Sequence, residues 1–302
     1  MTAASRNALG IVAGLLEART GQTLTPDRLW RVESALTGVL RRHDLPSLEA
    51  LAARLALPNQ GMLAQQVAEA LLNNETYFFR DRALFDQLGA CVLPALAARR
   101  GADRRLAIWS VGCSTGQEAY SLAMVLLEQP ARWRGWSIEI LGTDVASAMI
   151  DAAREGSFSQ FQIQRGLTVS QMVRFFEETR TGWRARTELR GKVRFELHSV
   201  LDPPPEPRRF DLILCRNVLL YFDRPTRERA FARLAAALAP GGLLMLGSGE
   251  TTAGQTGLLV PDGAFPGFHR SGRDAAATSA LPGCGLAARR SQQQGKPRVT
   301  NP

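Results

Sequence analysis

The sequence predicts an α/β chain: a doubly wound parallel sheet carrying a small antiparallel insertion, preceded by an all-helical N-terminal region. Three observations lead there. Apolar residues recur at helical spacing up to about residue 75; short apolar runs then alternate with helical stretches from Leu106 onward; and polar–apolar alternation of period two interrupts that rhythm near residues 180–198. The expected organisation is a helical region over 1–75, an α/β domain over 76–270 and a tail over 271–302.

The N-terminal stretch ALGIVAGLL reads as an amphipathic helix. Arg6 precedes it, as in a signal peptide, but Glu17-Ala18-Arg19-Thr20 follows where a small-residue cleavage site would stand. PDRLWRVESALTGVLRR, from Pro26 to Arg42, is expected to be one helix, with Thr25 as its cap and Pro26 at its first position. Leu29, Val32, Leu36, Val39 and Leu40 then share a face. At about 100° per residue, Arg28, Arg31 and Arg42 fall on a strip roughly 60° wide. That strip is either a solvated face or a docking strip for an acidic partner. GMLAQQVAEALLNN, a further helix, leads into NNETYFFRD.

In the α/β region LAIWSVG reads as a buried strand ended by glycine, and QEAYSLAMVLLE as the helix after it. SIEILGTD is a second strand, and ASAMIDAAREG a second helix with Gly156 at its end. After a helix around SQMVRFFEE, the segment TGWRARTELRGKVRFELHSV is expected to form the antiparallel insertion, with turns at Gly182 and Gly191. FDLILCRN is a third strand, Pro225–Ala239 a helix stopped by Pro240-Gly241-Gly242, and LLMLGSGE a further strand. The tail, rich in Ala, Gly, Ser, Gln and Arg, has little to bury and is expected to be disordered.

Composition narrows the function classes. No run of 18 apolar residues exists, and cytoplasm is the expected location. Of the net charge of +9, the tail carries +4, and 35 of the 37 basic residues are arginine. No basic tract interleaved with aromatics suggests a nucleic-acid surface. Cys91, Cys113, Cys215 and Cys284 are scattered without a C-x-x-C pair and are expected to be reduced; with isolated histidines at 43, 198 and 269, no metal site is expected.

The turn Gly112-Cys113-Ser114-Thr115-Gly116 admits two chemistries. It matches G-x-S-x-G, which would make Ser114 the nucleophile of a hydrolase. Against this, Ser114 follows the first strand of the sheet, and no oxyanion-loop segment precedes it. As a strand–helix turn it would instead line a cofactor pocket. Asp144, about 30 residues on at the end of the second strand, can accept both hydroxyls of a ribose. The two glycines lie four apart and no Walker lysine follows, so a pyrophosphate ligand fits poorly. A ligand with a ribose and no phosphate, such as S-adenosylmethionine, fits better.

Taken together, NNETYFFRD, SVGCSTGQEAYSLA, LGTD, FDLILCRNVLLYFDRP and LAPGGLLMLGSGE resemble the chemotaxis receptor methyltransferase family, CheR, over roughly residues 10–270. The resemblance implies a Rossmann-like methyltransferase domain that transfers methyl from S-adenosylmethionine to glutamate side chains of chemoreceptor signalling helices, behind a substrate-docking helical domain. It implies cofactor contacts from Asn74, Thr76, Arg80, Glu118, Asp144, Ser199, Val200, Asn217 and Val218, with Arg80 and Tyr221 nearest the reacting centre. It also gives Arg28, Arg31 and Arg42 a glutamate-rich helix to steer, and lets the insertion grip a receptor tail. Two departures stand out: Ser199-Val200 replaces the family's usual Asn-Leu, and Gly249 stands where a histidine is common. A non-catalytic module that responds to S-adenosylmethionine, a nucleic-acid methyltransferase and the Ser114 hydrolase are the alternatives. The nucleic-acid reading lacks the Asn/Asp-Pro-Pro-Tyr/Phe segment common in amino-group transfer, since CRNVLLYF occupies that place.

Overall fold

A computed structural model describes residues 3–206 and 209–274. The N-terminal region is helical: α1 (Ala3–Thr20), a 3-10 turn (Pro26–Arg31), α2 (Val32–Arg42), α3 (Leu48–Leu55) and α4 (Gly61–Leu71). Val12, Leu16, Val32, Leu36, Leu51 and Val67 form its core, which Ala146 from the α/β domain joins. The expected single helix over 26–42 is therefore two pieces. Arg28 N–H reaches back to the Thr25 carbonyl (2.9 Å), an i→i+3 closure, and the Thr25 side chain caps nothing. A 3-10 turn advances about 120° per residue, so the α-helical arithmetic for the arginine strip fails across residue 31. Arg28 and Arg31 still eclipse one another at that spacing, whereas Arg42 stands at the far end of α2.

α5 (Arg82–Gln87) and α6 (Leu93–Arg99), joined by one π-helical turn, lead into the sheet. Its strands are β1 (Arg105–Val111), β2 (Ser137–Asp144), β6 (Val193–Leu197), β7 (Phe210–Cys215), β8 (Leu238–Leu246), β9 (Leu259–Pro261) and β10 (Phe268–Ser271). They lie in the order β6-β2-β1-β7-β8-β10-β9; the first five are parallel, and β10 runs antiparallel to both its neighbours. Every residue of β7 is buried, as a central parallel strand covered on both faces requires. α7 (Gln117–Leu127) covers one face with Leu122, Ala123 and Met124; α12 (Arg224–Ala237) covers the other with Phe231 and Leu234. α8 (Ser147–Glu155) follows β2 and ends at Gly156 in the left-handed conformation.

Pro240-Gly241-Gly242 does not stop α12; the helix ends at Ala237 and the triplet lies inside β8. The strand register shifts there, from Phe210 opposite Leu238 to Leu212 opposite Leu243. A Cβ on Gly242 would come within 2.8 Å of the Phe210 carbonyl oxygen, so the bulge needs glycine.

The small antiparallel sheet is real but sits earlier than expected. It consists of β3 (Ser157–Phe158), β4 (Phe176–Thr179) and β5 (Gly182–Ala185), in the order β3-β5-β4, with α9 (Gln160–Gln164) and α10 (Val169–Phe175) between its first two strands. After α11 (Thr187–Arg190) the chain turns at Gly191, and 193–197 joins the main sheet parallel to β2. An edge strand covered on one face alternates just as a hairpin strand does, which is why the pattern misplaced it. Cys113 and Cys215 are free buried thiols, as expected. Beyond residue 274 the expected disordered tail lies outside the described residues. Among the described residues no helix is long and apolar enough to cross a membrane, and no group of three His, Cys, Asp or Glu side chains could hold a metal ion.

Candidate active site

Strand order reverses between β1 and β7, so their carboxyl ends splay apart and leave a crevice. After β1 the chain turns through Gly112 at φ +65°, where a Cβ would come within 2.5 Å of the Val218 side chain. Glycine therefore lets the β1 turn close against the turn after β7. Ser114 follows, also left-handed (φ 50°). Its N–H donates to Asp144 Oδ2 (2.9 Å), and its hydroxyl donates to the Asn74 carbonyl (2.8 Å). With that hydroxyl engaged by a carbonyl, no base among the described residues is hydrogen-bonded to Ser114, which lines the pocket.

Asp144 is buried at the end of β2. Its Oδ1 accepts from Ala146 N–H (2.9 Å), so each carboxylate oxygen holds one backbone partner and keeps a lone pair for another. Burial raises its pKa above the usual carboxylate value, opposed by the Ala146 and Ser114 N–H groups. After β6, His198 N–H donates to the Asp144 carbonyl (2.9 Å), Ser199 Oγ accepts from Leu201 N–H (3.2 Å), and Val200 is buried. The His198 ring lies edge-on to Trp109, and its Nε2 is buried without a hydrogen-bond partner. Burial lowers its pKa.

On the opposite wall, the loop from Asn73 to Asp81 is pinned by buried Phe78 and by Phe79 N–H donating to Ser121 Oγ on α7 (2.9 Å). Asn73 Nδ2 donates to Tyr221 Oη (2.6 Å). Arg80 donates to the Glu75 carbonyl (3.1 Å) and stands 5.6 Å from the Tyr77 ring centre. Glu75 in turn pairs with Arg165 (2.8 Å), whose hydrogen bond chiefly lowers the Glu75 pKa.

β7 delivers Arg216, Asn217 and Val218. Asn217 is left-handed (φ 60°), and its Oδ1 is buried without a partner. One carboxylate organises this turn: Glu250 Oε2 accepts from Asn217 and Gly247 N–H (2.8 and 2.9 Å), Oε1 from Val218 and Leu219 N–H (3.0 and 2.8 Å). Glu118, opening α7, accepts from Ser110 Oγ (2.8 Å) and from Arg216 (3.0 Å).

The ten residues expected at the cofactor or the reacting centre — Asn74, Thr76, Arg80, Glu118, Asp144, Ser199, Val200, Asn217, Val218 and Tyr221 — line one cavity of about 880 Å³ including its open mouth. Gln22, His198 and Arg216 line it too, and the sequence reading passed over all three. Arg216 could have been placed at the pocket from its position just past a predicted strand, whereas His198 could not, because the strand before it read as part of the insertion. Glu250 carried a similar signal beyond β8. Arg28 stacks 4.8 Å from the Tyr221 ring centre, while Arg31 and Arg42 are exposed on the helical region.

This wall suits S-adenosylmethionine. Asp144 keeps acceptor capacity on both oxygens for two ribose hydroxyls, and the orphaned Asn217 Oδ1 calls for a donor. The Asp144 carboxylate, which has no cationic partner among the described residues, disfavours a phosphate beside it.

Comparison with known proteins agrees. The family model "CheR methyltransferase, SAM binding domain" matches residues 74–260. "Chemotaxis protein methyltransferase 1" of Pseudomonas aeruginosa is 34% identical over 239 residues, covering 78% of this chain and 86% of the relative. "Chemotaxis protein methyltransferase Cher2" of Pseudomonas putida is 32% identical over 243 residues, 79% of this chain and 88% of its own. Among solved structures, the amino pentose methyltransferase CalS10 of Micromonospora echinaspora, bound to S-adenosylmethionine, matches at a TM-score of 0.32 and 18% identity over 58% of each chain. The chain belongs to the CheR methyltransferase family, and S-adenosylmethionine is its cofactor.

Proposed function

We propose that this chain transfers the methyl group of S-adenosylmethionine to glutamate side-chain carboxylates on the signalling helices of chemoreceptors, forming methyl esters. The names of the Pseudomonas relatives support the chemotactic setting. The observation that supports the acceptor class is that Arg80 lines the same cavity as Tyr221, whose oxygen already accepts from Asn73. That bond leaves the Tyr221 hydroxyl hydrogen for an incoming acceptor atom.

The cofactor supplies an activated methyl on a sulfonium centre. When bound it would give that methyl to a glutamate oxygen, the carbon–sulfur bond breaking as the carbon–oxygen bond forms and S-adenosylhomocysteine being left. Glutamate, with an ordinary pKa of about 4.3, is ionised at neutral pH, so no general base is required. The protein's part is alignment and the exclusion of water, which favours a reaction that annihilates opposite charges. In this reading Tyr221 fixes one carboxylate oxygen. Arg80, restrained through the Glu75 carbonyl, orients the acceptor without gripping it so hard as to blunt it. Asp144 holds the ribose; Asn74, Thr76, Glu118, Asn217 and Val218 complete the cofactor wall together with Ser199 and Val200. Of the three arginines expected to meet the acidic helix, Arg31 and Arg42 are exposed to it, and Arg28 rests against Tyr221.

Incubation with tritiated S-adenosylmethionine and candidate receptors tests this. Label on receptor that is released by mild alkali is expected, because methyl esters hydrolyse there and methylamines do not. Alkali-stable label, or none on any chemoreceptor, sinks the proposal.

A further inference from the structure

Arg216 is the least exposed charged side chain near the cofactor cavity: 1% of its side-chain surface is accessible. Its guanidinium donates to Glu118 on α7 (3.0 Å), to the Asp81 carboxylate and to the main-chain carbonyl of Arg80 (2.8 Å), with its centre 5.7 Å from the Phe85 ring. Three acceptors on two elements are thus gathered by one planar fork. A lysine ammonium could not reach all three in those directions.

The loop end that Arg216 holds is poorly supported by its own backbone. Phe79 (φ 51°) and Asp81 (φ 61°) are both non-glycine residues in the left-handed region, flanking Arg80. Such conformations persist only under outside restraint. The Arg80 side chain itself makes one hydrogen bond, to the Glu75 carbonyl at the exposed end of its reach. Its aim therefore depends on the backbone it leaves from, and Arg216 fixes that backbone at the carbonyl. The same guanidinium sets the Glu118 carboxylate, whose other oxygen is held by Ser110 (2.8 Å).

We propose that Arg216 is a positioning residue for the cofactor pocket: it sets Arg80 through that residue's carbonyl and Glu118 through its carboxylate, so that the two opposed walls act on the ligand as one unit. This rests on the reading of Arg80 and Glu118 as cofactor contacts. It does not depend on which acceptor is methylated.

The test is calorimetric titration of S-adenosylhomocysteine into the full-length wild-type chain, R80A, R216K and the double variant, with a melting temperature for each. If Arg216 acts through Arg80, the losses are not independent: about 20-fold for R80A and about 10-fold for R216K give roughly 20- to 40-fold in the double variant, against about 200-fold for independent sites. Losses that multiply overturn the proposal, as does R216K binding like wild type; either leaves Arg216 a residue of the fold alone. Should R216K fail to fold, D81N loosens the same clamp from its more exposed side and is judged by the same criterion. A chain that binds S-adenosylhomocysteine but esterifies no receptor loses the proposed function and keeps this test, whereas no binding by the wild type overturns both.

Discussion

Two residues of the pocket carry the sharpest consequences. Asp144 meets a backbone N–H with each oxygen and lines the cavity, so replacing it acts twice. Asp144→Ala removes acceptors for the ribose, worth about 1.5–3 kcal/mol for each hydrogen bond to a charged group. It also strands the N–H groups of Ser114 and Ala146. S-adenosylhomocysteine affinity is expected to fall at least 10-fold, with a lower melting temperature; unchanged affinity by calorimetry would refute the ribose role. Tyr221→Phe is predicted to behave differently. It deletes the hydroxyl but leaves the ring under Arg28, so kcat for receptor methylation should drop about 10- to 100-fold, the range of one well-placed donor, while cofactor affinity stays put. Asp144 was legible because strand, turn and strand set its position from a short run of sequence. The contacts of Arg216 were not, since its partners Glu118 and Asp81 lie 98 and 135 residues away and only the fold assembles them. His198 was passed over for a similar reason: without β6 in the main sheet, nothing puts it beside Asp144.

Among the elements, those with one covered face or a mixed helix type were hardest to read. β1, β2 and β7 could be placed from their apolar runs because both faces are buried. β6 could not, and the 3-10 turn before α2 is hidden in an α-like pattern. The turn after β7 shows what holds such an element once formed. Four backbone N–H groups converge on Glu250, two on each oxygen, and they span Asn217 to Leu219 plus Gly247. Glu250→Gln turns one oxygen into an NH2 group that faces two donors and loses both bonds. At about 1.5–3 kcal/mol for each bond to a charged acceptor, less relaxation and water entry, a net cost of about 3 kcal/mol is expected. For a domain of this size that lowers the melting temperature by roughly 6–12 °C. Because the turn lines the cofactor cavity, the stabilisation given by saturating S-adenosylhomocysteine should also shrink. A variant that melts like wild type would show that the carboxylate is incidental to the turn.

At the scale of the whole molecule, the helical region and the sheet are brought together at the cavity mouth. Arg28 rests on the Tyr221 ring, and Thr23 N–H donates to the Tyr221 carbonyl (2.9 Å), so the N-terminal region forms part of the wall around the proposed reacting centre. This separates the three arginines by role. Arg28 is half-buried and engaged with Tyr221, and reversing it would disturb the pocket itself. Arg31 and Arg42 are exposed, and Arg31 acts on the cavity-lining Glu75 only through its field, which helps to lower that carboxyl's pKa. If the partner is a glutamate-rich helix, these two act at a distance, through the field that guides encounter. Such steering weakens as the Debye length falls from about 10 Å at 0.1 M salt to about 3 Å at 1 M. Arg31→Glu with Arg42→Glu is therefore predicted to slow receptor methylation about 10-fold near 50 mM salt, at the lower end of measured steering effects, with the deficit fading towards 1 M. Affinity for S-adenosylhomocysteine should not change at any salt concentration. Initial rates for both proteins across a salt series, with titrations in parallel, decide it. Equal rates at 50 mM would make the arginine face an ordinary solvated surface, and a deficit that persists at 1 M would mean that the two residues touch the substrate directly.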